Sequence, residues 1–153
     1  MRNPSLAAAA AATLATVALA GPAMAVAWGS STAPLVAYEG GVAQAKGYGS
    51  FVNQGSIYAQ NNSLQYDLKP GGNAVTVKTH YFFLKTCNGT ANQWCSVGTV
   101  DSPGTTSASW QAMWTRKPLD PLAQNARGSI KVCEAQSWSP DPCSASAVAS
   151  FAY

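Results

Sequence analysis

Apolar and polar residues alternate with a period of two along most of this chain, and that period belongs to strands. The plainest case is "NAVTVKTHYFFLKT", residues 73–86. Val75, Val77, Thr79, Tyr81 and Phe83 share one face, and Thr76, Lys78, His80, Phe82 and Leu84 share the other. Its first half reads as a core face backed by a polar one; its second half is apolar on both, which predicts cover on both sides. "TTSASWQAMWTRK" (105–117) alternates as clearly, with Ala108, Trp110, Ala112 and Trp114 on the side that reads as core. "GSIKVCEAQS" (128–137) sets Ile130, Val132 and Glu134 against Lys131, Cys133 and Ala135, and the tail "SAVASFAY" (146–153) ends the chain as a strand. Upstream, "PLVAYE" (34–39), "GVAQAKGYGSFVN" (41–53) and "GSIYAQNNSLQYDL" (55–68) predict three more.

The breaks between these segments carry turn chemistry: Pro34, Gly40-Gly41, Asn53 to Gly55 and Pro70-Gly71-Gly72. "RKPLDPLAQNARG" (116–128) is the longest predicted loop. No window has apolar residues at helical spacing with caps at both ends. About seven short strands with frequent turns predict an all-β fold, an antiparallel β-sandwich.

The N-terminus reads differently. One cation, Arg2, precedes an Ala-rich apolar run from Leu6 to Ala20, Gly21-Pro22 breaks it, and Ala23-Met24-Ala25 offers a small-x-small cleavage site. That layout predicts a secretory signal over residues 1–25 and one extracellular β-sandwich domain over 26–153. The apolar run is short and interrupted for a spanning helix, so no membrane contact is expected after cleavage.

Export gives the four cysteines an oxidising context and predicts disulfides. Cys87 with Cys95 and Cys133 with Cys143 is the economical pairing, because each bond closes one local loop rich in turn formers. Neither pair has the two-to-four-residue spacing of a structural zinc site. No metal or other cofactor is expected.

Charge excludes little beyond nucleic acid. Without Arg2 the chain has eight Lys/Arg against six Asp/Glu, a net +2, and its cations are scattered rather than gathered on one stripe. Catalytic constellations are thin. His80 is the single histidine, and no G-x-S-x-G elbow accompanies it. Glu134 and Asp141 bracket the second stapled loop, where Asp141 between Pro140 and Pro142 suits a turn better than acid–base work. No catalytic residue is assigned. Five Trp and six Tyr are a large aromatic supply. Trp110 and Trp114 read as core; Trp28, Trp94 and Trp138 lie near the terminus or the stapled loops, where exposed rings would serve glycan stacking or protein contact, although core or loop packing is the favoured reading. "NNS" at Asn61 and "NGT" at Asn88 match the N-glycosylation sequon.

In "GYGSF", glycines flank Tyr48, which signals a bulge or a close backbone approach. Gly47, Tyr48, Gly49, Ser50, Phe51 and Val52 therefore form the candidate interface, an exposed sheet edge open to a partner strand. On that reading, Ser50→Pro removes a ladder donor and spares the fold.

The Ala-rich leader, "WGSSTAPL", "GYGSFVN" and "VCEAQSWSPDPCS" resemble small secreted proteins of filamentous actinobacteria. In size and layout the chain is similar to the adaptor subunit of umbrella toxin particles, in which an exported β-domain links a lectin subunit to a toxin stalk. The resemblance implies a non-enzymatic adaptor with another secreted protein as partner; it carries over no residue. The subtilisin-inhibitor family shares the size and the two disulfides but not the proline-rich cysteine segments. A carbohydrate-binding module and a secreted enzyme inhibitor are the alternative expectations.

N-terminal sequencing of secreted material should return Val26 as the first residue. Protein in the medium that retains residues 1–25 overturns the leader reading.

Overall fold

A computed structural model describes residues 24–153. The predicted leader lies outside these residues except for Met24 and Ala25. Nine strands form instead of about seven: β1 (Ala25–Ala27), β2 (Leu35–Glu39), β3 (Val42–Gln54), β4 (Tyr58–Asp67), β5 (Val75–Cys87), β6 (Thr90–Asp101), β7 (Gln111–Pro118), β8 (Asn125–Glu134) and β9 (Ala147–Ala152). β1 was missed because it is three residues long, and β6 because the adjacent Asn92-Gln93 and Trp94-Cys95 break its alternation. The predicted loop 116–128 is shorter, since β7 and β8 claim both its ends.

All pairings are antiparallel. One sheet runs β1-β3-β4-β7, with β2 also paired to β3; the other runs β6-β5-β8-β9. The two pack face to face as the expected β-sandwich. Both predicted disulfides are present, Cys87–Cys95 and Cys133–Cys143. The first staples the β5–β6 hairpin, whose tip holds Asn88 and Gly89 at positive φ, 52° and 77°. That is the left-handed pair a tight hairpin turn demands.

Alternation places Val75, Val77, Thr79, Tyr81 and Phe83 inside, as predicted. They meet Phe51, Ile130, Val132 and Phe151 from neighbouring strands, with the Phe51 and Phe151 rings 5.2 Å apart. β4 supplies something unexpected. Its inward row is Ala59, Asn61, Ser63, Gln65 and Asp67, almost wholly polar and all buried.

Buried polar groups must be hydrogen-bonded, and these largely are. Trp28 Nε1 donates to Asn61 Oδ1 at 2.6 Å, and Asn61 Nδ2 donates to Thr79 Oγ1 at 2.8 Å. Thr115 Oγ1 donates to the same Thr79 oxygen at 3.2 Å and shares a 2.7 Å bond with the Tyr81 hydroxyl. Gln65 makes a second bridge, donating to the Pro103 carbonyl at 2.7 Å and accepting from Ser102 Oγ at 3.0 Å. Ser102 Oγ in turn accepts from the Val77 amide at 2.8 Å. Side chains of both sheets are thus tied together through the core.

The network also bears on the Trp reading. Trp28 takes the packed place favoured for it, 3% exposed, with its indole N–H bonded to Asn61. Trp114, expected in the core, is 53% exposed. The β7 residue facing inward is Thr115, whose hydroxyl completes the chain, so Ala112 and Trp114 point out.

Asn61→Ala leaves the indole N–H of Trp28 without its buried partner, and urea unfolding should register a loss of about 2–4 kcal/mol. A second expectation concerns alkali. Burial pushes the Tyr81 hydroxyl up to about 12, against about 10 in an unfolded chain. Its contribution is therefore fully present below pH ~10 and is lost as pH rises toward ~12, on the order of 2–3 kcal/mol in all. Tyr81→Phe should flatten that part of the stability profile; an unchanged slope would show that Tyr81 is not the group responsible.

Candidate functional site

Gly47 to Val52 lies in β3, and β3 is interior to its sheet. β4 pairs along one flank over the whole segment. On the other flank Gly47 pairs with Leu35 of β2, and Ser50, Phe51 and Val52 pair with Ala27, Val26 and Ala25 of β1. Between them, the Trp28 amide donates to the Gly49 carbonyl at 3.0 Å. The segment is not an exposed edge, and Phe51 is a core residue. Its glycines serve close approach. A Cβ on Gly47 would come within 3.0 Å of Val132 Cγ2, and one on Gly49 would overlap the Asn62 carbonyl and lie 2.9 Å from Trp28 Cζ2. Ser50→Pro would strike a strand paired on both sides, so it would cost stability and not only a partner.

The segment still lines a cavity, through its face. Tyr48, Gly49 and Ser50 form part of a groove of about 780 Å³ on the outer surface of the first sheet. β4 adds Asn62 and Leu64, β7 adds Ala112 and Trp114, and the loop at Gly29 to Ser31 walls one side. None of the lining residues is charged. Strand register explains the cluster: Tyr48 is level with Leu64, and Leu64 with Ala112; one step along, Ser50, Asn62 and Trp114 form the next row.

Cations frame the groove at both ends. Lys46 Nζ sits 4.4 Å from the Tyr66 ring centroid and 5.0 Å from that of Trp110. Trp110 also meets Tyr48 edge-on at 5.0 Å. At the far end Arg116 lies over Tyr58 at 4.2 Å and over Trp114 at 4.8 Å. Two cation–π clusters therefore hold the aromatic rims in place. The aromatic supply signalled this surface in the sequence; which face each ring took was not readable.

The outer surface of the second sheet is polar. A groove of about 530 Å³ is lined by Lys78, His80, Thr99, Ser129, Lys131 and Asp141, among others. His80 Nε2 bonds Ser96 Oγ at 2.7 Å, and Nδ1 bonds Thr99 Oγ1 at 3.0 Å. Lys78 pairs with Asp141 at 2.8 Å and Asp101 at 3.5 Å. The hydrogen bond to Asp141 raises the Lys78 ammonium above its ordinary value, and Lys78 holds the Asp141 carboxyl below its own.

A histidine, a serine and a carboxylate do share this groove, the gathering a hydrolase needs. Their bonding does not make a triad: both ring nitrogens are taken by hydroxyls and Asp141 is held by Lys78, so no carboxylate orients the imidazole. Glu134 and Asp141 are not brought together. Glu134 lies in the inward row with Ile130 and Val132, while Asp141 lines the outer groove.

Of the two sequons, Asn61 is 1% exposed and bonded in the core, so only Asn88, exposed at the hairpin tip, is reachable in the folded chain. Among the described residues, no three His, Cys, Asp or Glu side chains gather as metal ligands, and no helix is long and apolar enough to cross a membrane. No family model, curated protein or solved structure matches the chain.

Proposed function

We propose that this is an exported, non-catalytic interaction domain that engages another secreted protein through the apolar groove on the outer face of the β1-β3-β4-β7 sheet. The observation that carries the reading is the composition of that face. Tyr48, Trp110, Trp114, Tyr58 and Arg116 surround an uncharged floor, and Trp, Tyr and Arg are the residues that dominate binding hot spots. Trp114, half exposed at the rim, is the natural anchor.

Lys46 and Arg116 at the two ends favour a partner segment with apolar side chains flanked by carboxylates. Such an arrangement needs no reactive group, which suits a chain whose histidine is held by two hydroxyls. The two disulfides fit an extracellular setting. The role of a linking component in an extracellular toxin assembly, implied by the resemblance, is compatible with a domain that keeps one sheet face for a partner.

A second reading has its own observation. Rings exposed on a sheet face, as Trp114 is, can stack on sugar rings, as a carbohydrate-binding module requires.

Trp114→Ala should weaken binding of the purified partner about 30-fold, a hot-spot loss of about 2 kcal/mol, with Tm unchanged. Normal partner binding by this variant removes the groove from the interface. Saturable binding of neutral oligosaccharides that disappears in Trp114→Ala would assign the face to glycan instead. Turnover of a substrate that is lost in His80→Ala would overturn the non-catalytic reading.

A further inference from the structure

The groove on the second sheet contains a cation without a counter-charge. Lys78 and Lys131 stand directly opposite each other on β5 and β8 and line the same groove. Like charges in that position repel. Lys78 is neutralised by Asp101 and Asp141, but Lys131 makes no ion pair among the described residues.

The surroundings of Lys131 are built rather than incidental. Residues three apart on a regular strand face opposite ways, yet Ser96 and Thr99 both reach His80. A bulge makes this possible: Tyr81 pairs with Gly98 and Phe82 with Ser96, so Val97 is the extra residue, and Gly98 takes φ 96°. Bulges re-aim side chains in this way beside binding sites. The bulge and the two hydroxyls fix the imidazole, which stacks on Phe82 at 4.5 Å and 21°. The Cys133–Cys143 disulfide ties the opposite wall, where Asp141 and Cys143 line the groove, to β8.

We infer that this groove binds a carboxylate-bearing sugar, with Lys131 receiving the carboxylate. The match is one of chemistry. Ser129 and Thr99 offer hydroxyls that donate or accept, and Asp141 offers an acceptor, which together suit the vicinal hydroxyls of a pyranose. His80, stacked on a Phe82 ring that Arg127 also covers, supplies an aromatic flank for the ring's C–H face. A neutral sugar would leave Lys131 unanswered, and a bare carboxylate would leave the hydroxyl array and the aromatic flank unused. This site is on the sheet opposite the protein groove and stands independently of it.

The test is titration of the full chain with D-glucuronate, D-glucose and acetate, followed by NMR shifts or calorimetry. Glucuronate should bind saturably, with a dissociation constant on the order of 1 mM, at least tenfold more tightly than glucose or acetate. Lys131→Gln, at an exposed position, should fold normally and lose at least tenfold for glucuronate. Trp114→Ala should bind it as wild type does. Absence of saturable glucuronate binding, equal binding of glucose or acetate, or undiminished binding by Lys131→Gln would each overturn the inference.

Discussion

The hydrogen-bonded chain from Trp28 through Asn61, Thr79 and Thr115 to Tyr81 constrains the rest of this sandwich. A buried amide or hydroxyl without a partner costs about 1–3 kcal/mol, so each member requires the next. Its members come from the N-terminal segment, β4, β5 and β7, which fixes how the two sheets are stacked and in which register. The apolar cluster around Phe51, Ile130 and Phe151 supplies the larger burial. The polar chain selects one arrangement among those that burial alone would allow.

That selection has a functional consequence. Once β4 and β7 turn Asn61, Gln65 and Thr115 inward, their remaining side chains must face solvent. Tyr58, Leu64, Tyr66 and Trp114 are therefore displayed on the outer surface, where Lys46 and Arg116 pack over the rings. An apolar, aromatic outer face arises because the core is unusually polar opposite it. The second sheet shows the inverse: its inner row is Val75, Val77, Ile130 and Val132, and its outer row carries Lys78, His80, Ser129 and Lys131. The two outer faces of one small domain thus differ in chemistry, one aromatic and uncharged, the other polar and charged.

Glycine has a corresponding role in β3. Gly49 lets Trp28 and the β4 backbone approach closer than a Cβ would permit, and Gly47 leaves Val132 a place that a Cβ would crowd. The same strand is covered on its other flank by β1 and β2, which removes an edge that would otherwise be open to unwanted pairing.

How much of this was legible follows from which features are local. Period-two alternation disclosed seven of the nine strands and the sandwich class, because the pleat enforces it residue by residue. The Cys87–Cys95 and Cys133–Cys143 pairing was legible because each bond closes a short loop with its own turn chemistry. Alternation says which residues share a face; it does not say which face meets the other sheet. Trp114 was therefore assigned to the wrong side, since the deciding bonds join residues such as Tyr81 and Thr115 that are far apart in sequence. Nor does a strand reveal whether it is central: β3 became interior only when β1 and β2 paired with it. The bulge at Val97 and Gly98 shifted parity within a polar strand, so the bracketing of His80 by Ser96 and Thr99 left no trace in the pattern. The sequence by itself determined the sandwich class, seven of the nine strands and the staples, because these are set by neighbours along the chain. Only the tertiary structure decided the faces, the edges and both grooves, because each of those depends on a partner from elsewhere in the fold.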